Sequence, residues 1–368
     1  MSKNLKRIGI LTGGGDCPGL NAVIRAVAKA AINGGLEVVG IEDGYLGLIG
    51  NRMHVLQYGE LSGILTQGGT ILGSSNKADP SRYAVPDGKG GWELRDVRDQ
   101  VVEHYRQAGL DAMVVIGGDG TMSGASKLIE RGLKIVGVPK TIDNDLWATE
   151  ITFGHHTAVA TASDALDKVH TTASSHHRVM VVELMGRYAG WIALHAGVAS
   201  GADVILIPEI PFTLEAVAAT CVRRRHVGKG FTIIAAGEGA RLVGGEMFVD
   251  RVVKDSPDPV RLGGVAKYVA DEVEKMTGLD SRAIVLGHIQ RGGTPTSFDR
   301  ILATGFGHHA FELLTAGRFN RLVVQQRGRI TSVPIAEVAE KVRTVPLDDP
   351  LIAAARSIGT CFGDGKTS

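Results

Sequence analysis

The sequence has few aromatic residues, few cysteines and almost no net charge. Aromatics make up 5% of the 368 residues, and a formal net charge of +1 gives no support for a nucleic-acid or membrane surface. The three cysteines, Cys17, Cys221 and Cys361, are far apart and form no CxxC pair, which favours reduced thiols in a cytoplasmic protein. No apolar run reaches the roughly 18 residues of a membrane-spanning helix. We therefore expect no nucleic-acid or membrane partner, and an anionic substrate would need local clusters of Arg and Lys.

Glycine, in contrast, is abundant, at 50 residues, and it is not arranged in low-complexity repeats. This excess indicates many tight turns where the backbone approaches a ligand or a neighbouring element. Hydrophobic residues make up 44% and charged residues 21%, as in an ordinary globular protein. The length suits one large or two medium domains.

Short apolar runs alternate with helical stretches along the chain, and each candidate site motif directly follows an apolar run. This alternation is typical of βαβ units, so we predict an α/β fold with two similar three-layer domains, largely parallel sheets and a cleft between them. We expect the loop 73–100 to be an exposed excursion near that cleft. The predicted strands are 7–11, 36–41, 112–116, 134–138, 178–184, 204–207 and 231–236, and the predicted helices are 19–31, 123–131, 213–228 and 262–277.

Two glycine-rich loops are candidates for binding phosphate. Residues 13–19 join a predicted strand to a helix N-terminus, where backbone N–H groups and the helix dipole favour an anion, although a plain tight turn would read the same way. Gly117–Thr121 reads GGDGT, in which Asp119 supplies a hard oxygen for Mg²⁺. A structural loop is the alternative for this motif, which by itself also occurs in lipid and nicotinamide-nucleotide kinases.

The segment Thr141-Ile142-Asp143-Asn144-Asp145 is the candidate for proton transfer. If it continues a strand, Thr141, Asp143 and Asp145 project to the same side. One carboxylate could then accept a proton from an alcohol while the other serves a metal or a helix cap. The alternative is an Asx-turn that only ends the strand.

Four arginines, a glutamate and a histidine are candidates for binding a sugar phosphate. Arginine suits bidentate phosphate recognition, although a lone arginine is usually a solvated surface charge. The glutamate could bond sugar hydroxyls or cap a helix, and the histidine could bond oxygens or be structural. We interpret Cys17 as a packing residue, and the other histidines as structural or surface residues. The six candidates are Arg178, Arg187, Arg282, Arg291, Glu238 and His288.

In combination these motifs resemble those of the 6-phosphofructokinases, in order and in spacing, from about residue 7 to residue 340. The resemblance is closest to the actinobacterial-type group, which mixes ATP-dependent and pyrophosphate-dependent members. The segments that carry it are GGGDCPGLNAVIRAV, GGDGT, PKTIDND, MGRYAGW, PEIPF and LGHIQRGG.

The resemblance implies roles for most of the candidates. Asp143 would be the general base for the sugar 1-hydroxyl, with Thr141 and Asp145 assisting and Arg187 steadying the transferring phosphoryl group. Asp119 would hold Mg²⁺. The implied nucleotide contacts are Gly15, Gly118, Asp119, Gly120 and Thr121, and the implied fructose 6-phosphate contacts are Thr141, Asp143, Met185, Gly186, Arg187, Glu238, His288 and Arg291.

The resemblance also implies an oligomer, a homotetramer or a homodimer, in which Arg178 and Arg282 reach the sugar phosphate of a neighbouring subunit. Its domain division would place 1–154 with about 267–317 in a larger nucleotide-binding domain. Residues 155–266 with about 318–368 would form a smaller sugar-phosphate domain.

The phosphoryl donor depends on two positions. Pyrophosphate users of the family carry Asp where this chain has Gly120, so Gly120 leaves room for ATP. Lys140, however, is the residue that pyrophosphate users carry, and Asn76 stands where many members have Arg, with Lys77 as a possible substitute charge. We expect transfer from Mg-ATP to fructose 6-phosphate, with pyrophosphate as the alternative donor. Another GGDGT kinase or a non-catalytic sugar-phosphate-binding subunit is a more remote alternative.

Overall fold

The computed structural model describes residues 5–88, 90–252 and 260–366, and it contains two main β-sheets. The first sheet has eight strands in the order β16-β15-β7-β6-β1-β2-β3, with β8 paired to β7. All its pairings are parallel except β2 with β3 and β15 with β16 at the two edges. Its strands are β1 (Arg7–Thr12), β2 (Glu37–Ile41), β3 (Met53–Val55), β6 (Ala112–Gly117), β7 (Ile135–Thr141), β8 (Phe153–Gly154), β15 (Arg321–Gln326) and β16 (Arg329–Pro334).

The second sheet has four strands in the order β10-β11-β9-β14, and all its pairings are parallel. Two antiparallel hairpins, β4–β5 and β12–β13, stand apart from both sheets. These strands are β4 (Tyr83–Pro86), β5 (Trp92–Arg95), β9 (Val179–Leu184), β10 (Val204–Leu206), β11 (Thr232–Gly237), β12 (Val249–Val252), β13 (Val260–Leu262) and β14 (Ser281–Val285).

Ten α-helices and three short 3₁₀ turns connect the strands of the described chain. The helices are α1 (Leu20–Asn33), α2 (Tyr45–Ile49), α3 (Arg98–Gln107), α4 (Asp119–Ile129), α5 (His155–His176), α6 (Trp191–Ala199), α7 (Leu214–His226), α8 (Val265–Thr277), α9 (Ser297–Thr315) and α10 (Pro350–Ser357). The 3₁₀ turns are Ile64–Thr66, Gly287–Arg291 and Ile335–Glu337.

Helices cover both faces of both sheets, so neighbouring residues of one strand point into different hydrophobic cores. Ile10 belongs to the core beneath α1 and α9, whereas the next residue, Leu11, belongs to the core beneath α2, α3 and α4. In the second sheet Val182 and Val181 separate in the same way. Buried parallel strands require this coverage, which is why they read as continuous apolar runs. The three-layer α/β fold predicted from the sequence is confirmed.

The core that contains Ile10 also contains Val182, so the two sheets share one continuous apolar layer. Helices α1, α5, α6 and α9 contribute to this layer. Because protein interiors are close-packed and transmit displacement, the shared layer fixes how the two sheets face each other.

Sheet pairing divides the chain differently from the expected domain boundaries. Strand β14, expected in the larger domain, pairs with β9 of the second sheet, and α8 packs beside it. Strands β15 and β16, expected in the smaller domain, extend the first sheet from β7. Both assignments depend on pairing between segments more than a hundred residues apart, for which the local sequence carries no signal.

Several element boundaries and one loop also differ from the predictions. Strand β7 continues to Thr141, three residues beyond its predicted end, and α4 begins at Asp119 rather than at residue 123. The excursion 73–100 contains the β4–β5 hairpin and the start of α3. Among the described residues, no helix combines the length and apolarity that a bilayer crossing requires.

The packing of α9 on α1 depends on a close approach at Gly307. A Cβ atom at this position would lie 2.8 Å from the Ala26 Cβ and 3.0 Å from the Val23 carbonyl oxygen, neither of which can move independently of α1. We predict that Gly307→Ala lowers the free energy of unfolding by about 1–3 kcal/mol through overpacking, despite the higher helix propensity of alanine. Urea denaturation of both proteins measures the difference, and a stabilised variant would contradict the packing argument.

Candidate active site

The carboxyl-terminal ends of both sheets open onto one cleft with a volume of about 1080 Å³. Ligands of parallel α/β sheets gather at this end of the strands. Of the residues predicted from the sequence, the cleft brings together fourteen, which come from both sheets: Gly15, Gly118, Asp119, Gly120, Thr121, Lys140, Thr141, Asp143, Asp145, Met185, Arg187, Glu238, His288 and Arg291.

The loop between β1 and α1 forms one wall of the cleft. The Gly13 N–H donates to the Ile116 carbonyl at 2.9 Å, and the Gly14 N–H donates to the Ser75 carbonyl at 3.1 Å. Gly14 has a φ of 80°, which favours glycine. A Cβ on Gly15 would lie 2.9 Å from the Arg291 guanidinium. The loop is therefore held in place by its backbone and kept free of side chains.

Asp119 lies at the N-terminus of α4, where Gly118 is the N-cap. Its Oδ1 atom is buried and has no hydrogen-bond partner. Burial, with a further contribution from the nearby Asp145, raises the pKa of Asp119 to about 6 against the opposing effect of a hydrogen bond from the Glu340 N–H. The helix N-terminus favours bound phosphate, and a Cβ at Gly120 would meet no atom within 4 Å.

The Asp119 carboxylate fits a Mg²⁺ ion that is shared with bound phosphates. No cluster of three or more His, Cys, Asp or Glu residues suited to a metal occurs in the described ranges 5–88, 90–252 and 260–366. Mg²⁺ usually keeps several waters and takes only one or two carboxylates together with substrate phosphates. A buried carboxylate oxygen without a partner, beside an anion-binding helix end, is the donor that such an ion requires.

The segment after β7 carries the pair of carboxylates, although not by strand alternation as predicted. Asn144 has a left-handed backbone with a φ of 53°, so the chain turns after Thr141. The Asp143 N–H donates to the Thr141 hydroxyl oxygen at 3.1 Å, and that hydroxyl in turn hydrogen-bonds the Asp145 carboxylate. The turn still places Thr141, Asp143 and Asp145 on the same cleft.

Burial raises the pKa of Asp143, and the adjacent Asp145 raises it further. Burial likewise raises the pKa of Asp145. Lys140 and Arg291 oppose both shifts by stabilising the charged forms. The Oδ1 atom of Asp143 is buried without a hydrogen-bond partner. A carboxyl group with a raised pKa and a vacant acceptor is suited to take a proton from a bound alcohol.

The second sheet contributes the opposite wall. Gly186 has a φ of 133°, and a Cβ there would lie 2.7 Å from the Ala189 carbonyl oxygen, so the turn between Met185 and Arg187 requires glycine. Glu238 follows β11, and its N–H donates to the Leu184 carbonyl at 2.8 Å. Burial raises the pKa of Glu238 to about 6, with a further contribution from Glu183.

Arg187 and Arg291 bring positive charge to the two sides of the cleft. The Arg187 Nη2 atom donates to the Val260 carbonyl at 3.0 Å, which ties it to the β12–β13 hairpin. Arg291 ends the 3₁₀ turn that also carries His288, and its Nη1 atom donates to the Asp16 carbonyl at 3.2 Å. Arg291 therefore joins the second sheet to the β1–α1 loop of the first.

Four predicted ligand residues are not among those that line the cleft of this single chain: Arg178, Arg282, Lys77 and Gly186, which lies in the turn between Met185 and Arg187. Arg178 and Arg282 both pair with Asp280, and the Arg178 Nε atom lies 2.6 Å from its carboxylate. Lys77 lies between Asn76 and Ala78, which do line the cleft. The interpretation of Cys17 as packing is confirmed, since the residue is fully buried and burial raises the pKa of its thiol to about 12.

Sequence reasoning missed several cleft residues that belong to no recognisable motif. The Tyr45 hydroxyl donates to the Thr121 carbonyl at 2.7 Å and thereby fixes the first turn of α4. The β12–β13 hairpin adds Asp250 and Arg251, and Val342 enters from the segment after β16. Only the position of Tyr45 directly after Gly44, in the turn that follows β2, offered a local signal.

Comparison with known proteins gives consistent matches over the whole chain. The family model described as Phosphofructokinase matches residues 7–314. The chain is 48% identical to ATP-dependent 6-phosphofructokinase 2 of Clostridium perfringens, over 99% of this chain and 100% of that protein. It is 46% identical to ATP-dependent 6-phosphofructokinase of Spirochaeta thermophila, over 98% of each chain.

Solved structures resemble this one in fold. The T-state phosphofructokinase of Pichia pastoris superposes with a TM-score of 0.77 at 32% identity, over 91% of this chain and 35% of that one. A pyrophosphate-dependent phosphofructokinase of Nitrosospira multiformis superposes with a TM-score of 0.79 at 21% identity, over 93% of this chain and 86% of that one, which supports the fold alone. The family model covers most of the chain, and the relatives match it over nearly their full length. The chain therefore belongs to the phosphofructokinase family.

Proposed function

We propose that this chain transfers the γ-phosphoryl group of Mg-ATP to the 1-hydroxyl of fructose 6-phosphate, giving fructose 1,6-bisphosphate and ADP in glycolysis. The observation that carries the proposal is the position of Asp143. Its buried, unpartnered carboxylate oxygen faces a cleft that has an anion-binding helix end on one wall and candidate sugar-phosphate ligands on the other. The ATP-dependent 6-phosphofructokinases similar to it in sequence support the same reaction.

Asp143 takes the proton from the 1-hydroxyl as the hydroxyl oxygen attacks the γ-phosphorus. Thr141 and Asp145 hold Asp143 in place. Arg187 stabilises the charge on the transferring phosphoryl group, as a guanidinium does in a site closed to water. Asp119 would hold Mg²⁺, which would supply charge neutralisation for the phosphate oxygens. Because phosphoryl transfer needs little covalent chemistry from the protein, most of the acceleration comes from this positioning.

Fructose 6-phosphate binds against the second sheet. Met185 and Gly186 supply the turn beneath the sugar, Glu238 accepts hydrogen bonds from its hydroxyls, and His288 and Arg291 bind its phosphate end. The nucleotide lies against the β1–α1 loop and α4, at Gly15 and Gly118–Thr121, with Lys77 beside its phosphates.

The active form is a homotetramer or a homodimer, in which Arg178 and Arg282 reach the sugar phosphate of a neighbouring subunit. Their shared position on Asp280, away from the cleft of their own chain, supports this assignment. We propose a cytoplasmic location, in keeping with three unpaired cysteines.

ATP is the proposed donor because Gly120 leaves open space at the start of α4. Pyrophosphate remains the second candidate, since the buried Lys140 is the residue that pyrophosphate users carry. Lys140 here donates to the Gly15 carbonyl, so its ammonium group also serves the β1–α1 loop.

The first prediction concerns the reaction itself. In a coupled assay for fructose 1,6-bisphosphate, the wild type should turn over with ATP, and Asp143→Ser should lower kcat by at least ~10² because the general base is lost. The exposed Asp348 provides a control, Asp348→Ser, with unchanged turnover expected. Unaltered kcat in a folded Asp143→Ser variant would refute the role of Asp143. Turnover with pyrophosphate but not ATP would overturn the donor assignment, and binding without product would favour a non-catalytic subunit.

The second prediction concerns pH. The base acts when ionised, so kcat/KM for fructose 6-phosphate should fall as pH drops through its raised pKa. Asp145→Asn removes a negative charge that raises this pKa, so the acid-side fall should move to lower pH, whatever its effect on the maximal rate. Asp271→Asn makes the same charge change on the exposed face of α8 and should leave the profile in place. A shift to higher pH in Asp145→Asn would contradict the assignment.

The third prediction concerns the donor. Gly120→Asp should fold normally, because its Cβ meets no atom within 4 Å. Its carboxylate should lower kcat/KM for ATP by at least ~10-fold through repulsion of the donor phosphates. Gly59 is equally unobstructed and remote from the cleft lining, so Gly59→Asp is the matched control. Equal use of ATP by wild type and Gly120→Asp would show that this space does not accommodate the donor.

A further inference from the structure

The segment 340–345 follows the 3₁₀ turn after β16 and connects α4, beside the first sheet, with the start of α6, beside the second. At one end the Glu340 N–H donates to the Ser123 hydroxyl at 3.3 Å, on α4 beside Asp119. At the other end the Val345 N–H donates to the Glu209 carboxylate at 2.8 Å. The same carboxylate accepts a hydrogen bond from the Gly190 N–H at 3.0 Å, at the start of α6, which packs on the second sheet.

Arg343 occupies the middle of this segment and grips the turn that carries Asp143. Its side-chain Nη1 atom donates to the Asn144 carbonyl at 2.9 Å, and its backbone N–H donates to the Asp145 carbonyl at 2.7 Å. Val342 and Leu146 form an antiparallel bridge beside it. Two consecutive carbonyl groups of the catalytic turn are thus held by one residue.

Arg343 also contacts Trp191, the first residue of α6 and thus part of the helical layer on the second sheet. The guanidinium carbon lies 4.1 Å from the centre of the Trp191 ring, and the Trp191 indole N–H donates to the Arg343 carbonyl at 3.4 Å. Trp191 is 4% exposed and Arg343 is half-buried, so the contact is partly shielded from water and stronger than at an open surface. α6 directly follows the turn that carries Met185 and Arg187.

We propose that Arg343 is a positioning residue for phosphoryl transfer: it fixes the Asp143-bearing turn of the first sheet at a set distance from the sugar-binding turn of the second. This inference rests on the proposed function. Asn144 needs such support, because its backbone is left-handed and the strand hydrogen bonds end at Thr141. Planar geometry lets a guanidinium stack on an indole and donate in its own plane, which an ammonium group does not reproduce.

The test compares Arg343→Ala and Arg343→Lys with a matched control, Arg356→Ala. Arg356 likewise stacks on a ring, at 4.8 Å from Phe362, and pairs with Asp364 at 2.7 Å, but it is remote from the cleft lining. Its loss costs comparable packing and charge without touching the catalytic turn. Thermal unfolding establishes that each variant is folded before kinetics are compared.

We expect Arg343→Ala to lower kcat by about 10- to 100-fold, the cost of a displacement near 1 Å at the reacting groups. The KM for ATP and the KM for fructose 6-phosphate should each stay within about threefold of the wild-type value, because the binding groups remain in place. Arg343→Lys should lose less, and millimolar guanidinium should partly restore Arg343→Ala but not change Arg356→Ala. Equal kcat in the two alanine variants, or a loss that lies only in KM, would overturn the proposal.

Hydrogen exchange supplies a measurement that is independent of turnover. Backbone amides of residues 143–146 should exchange at least ~10-fold faster in Arg343→Ala than in the wild type. Their exchange rates in Arg356→Ala should equal those of the wild type. If wild-type protein makes no fructose 1,6-bisphosphate, the proposed function fails while the exchange result still decides whether Arg343 orders the turn. Unaltered exchange in Arg343→Ala would overturn the positioning role, and should Arg343→Ala fail to fold, Arg343→Lys provides both measurements.

Discussion

Burial of two neighbouring carboxylates, Asp143 and Asp145, is the costly interaction that the rest of the site is arranged to sustain. Burial raises the pKa of both carboxyl groups, Asp145 raises that of Asp143 further, and Lys140 and Arg291 stabilise both as anions. Lys140 is itself buried, and burial lowers its pKa. Neither cation is free to leave, since Lys140 donates to Gly15 and Arg291 donates to Asp16. The charges that stabilise the Asp143 and Asp145 carboxylates therefore also hold the β1–α1 loop.

The fold makes this arrangement possible by delivering the carboxyl ends of two parallel sheets to the same cleft. Within each sheet, strand pairing places the site segments beside one another: β1, β6 and β7 in the first, β9, β11 and β14 in the second. Between the sheets, the shared apolar layer sets the spacing. A reaction between a donor on one wall and an acceptor on the other depends on that spacing to within about 1 Å.

The sequence predicted the parts of the site that depend on local chemistry. Buried parallel strands read as apolar runs, and the motifs after them supplied the cleft residues from Gly15 to Arg291. It failed where glycine obscured an element: α4 begins at Asp119, inside GGDGT, because the helix N-terminus tolerates Gly120 while intrinsic propensity does not favour it. It also gave the wrong reason for the catalytic turn, because Asn144 takes a left-handed backbone that alternation does not anticipate.

The remaining failures concern contacts between distant segments, and these share one physical cause. Strand β14 is largely exposed along its length, so its sequence does not indicate which sheet it joins, and β15 pairs with β7 through Arg321 and Val136, which are 185 residues apart (321 − 136). Arg343 likewise belongs to no motif, because its partners are two backbone carbonyls and one ring. Every residue has a backbone carbonyl group, so the sequence does not indicate which carbonyl groups a side chain will hydrogen-bond. Such a side chain can be recognised only from the structure. The residues proposed to act on a ligand lie in motifs that the sequence shows, whereas Arg343, proposed to position the turn that carries Asp143, lies in none.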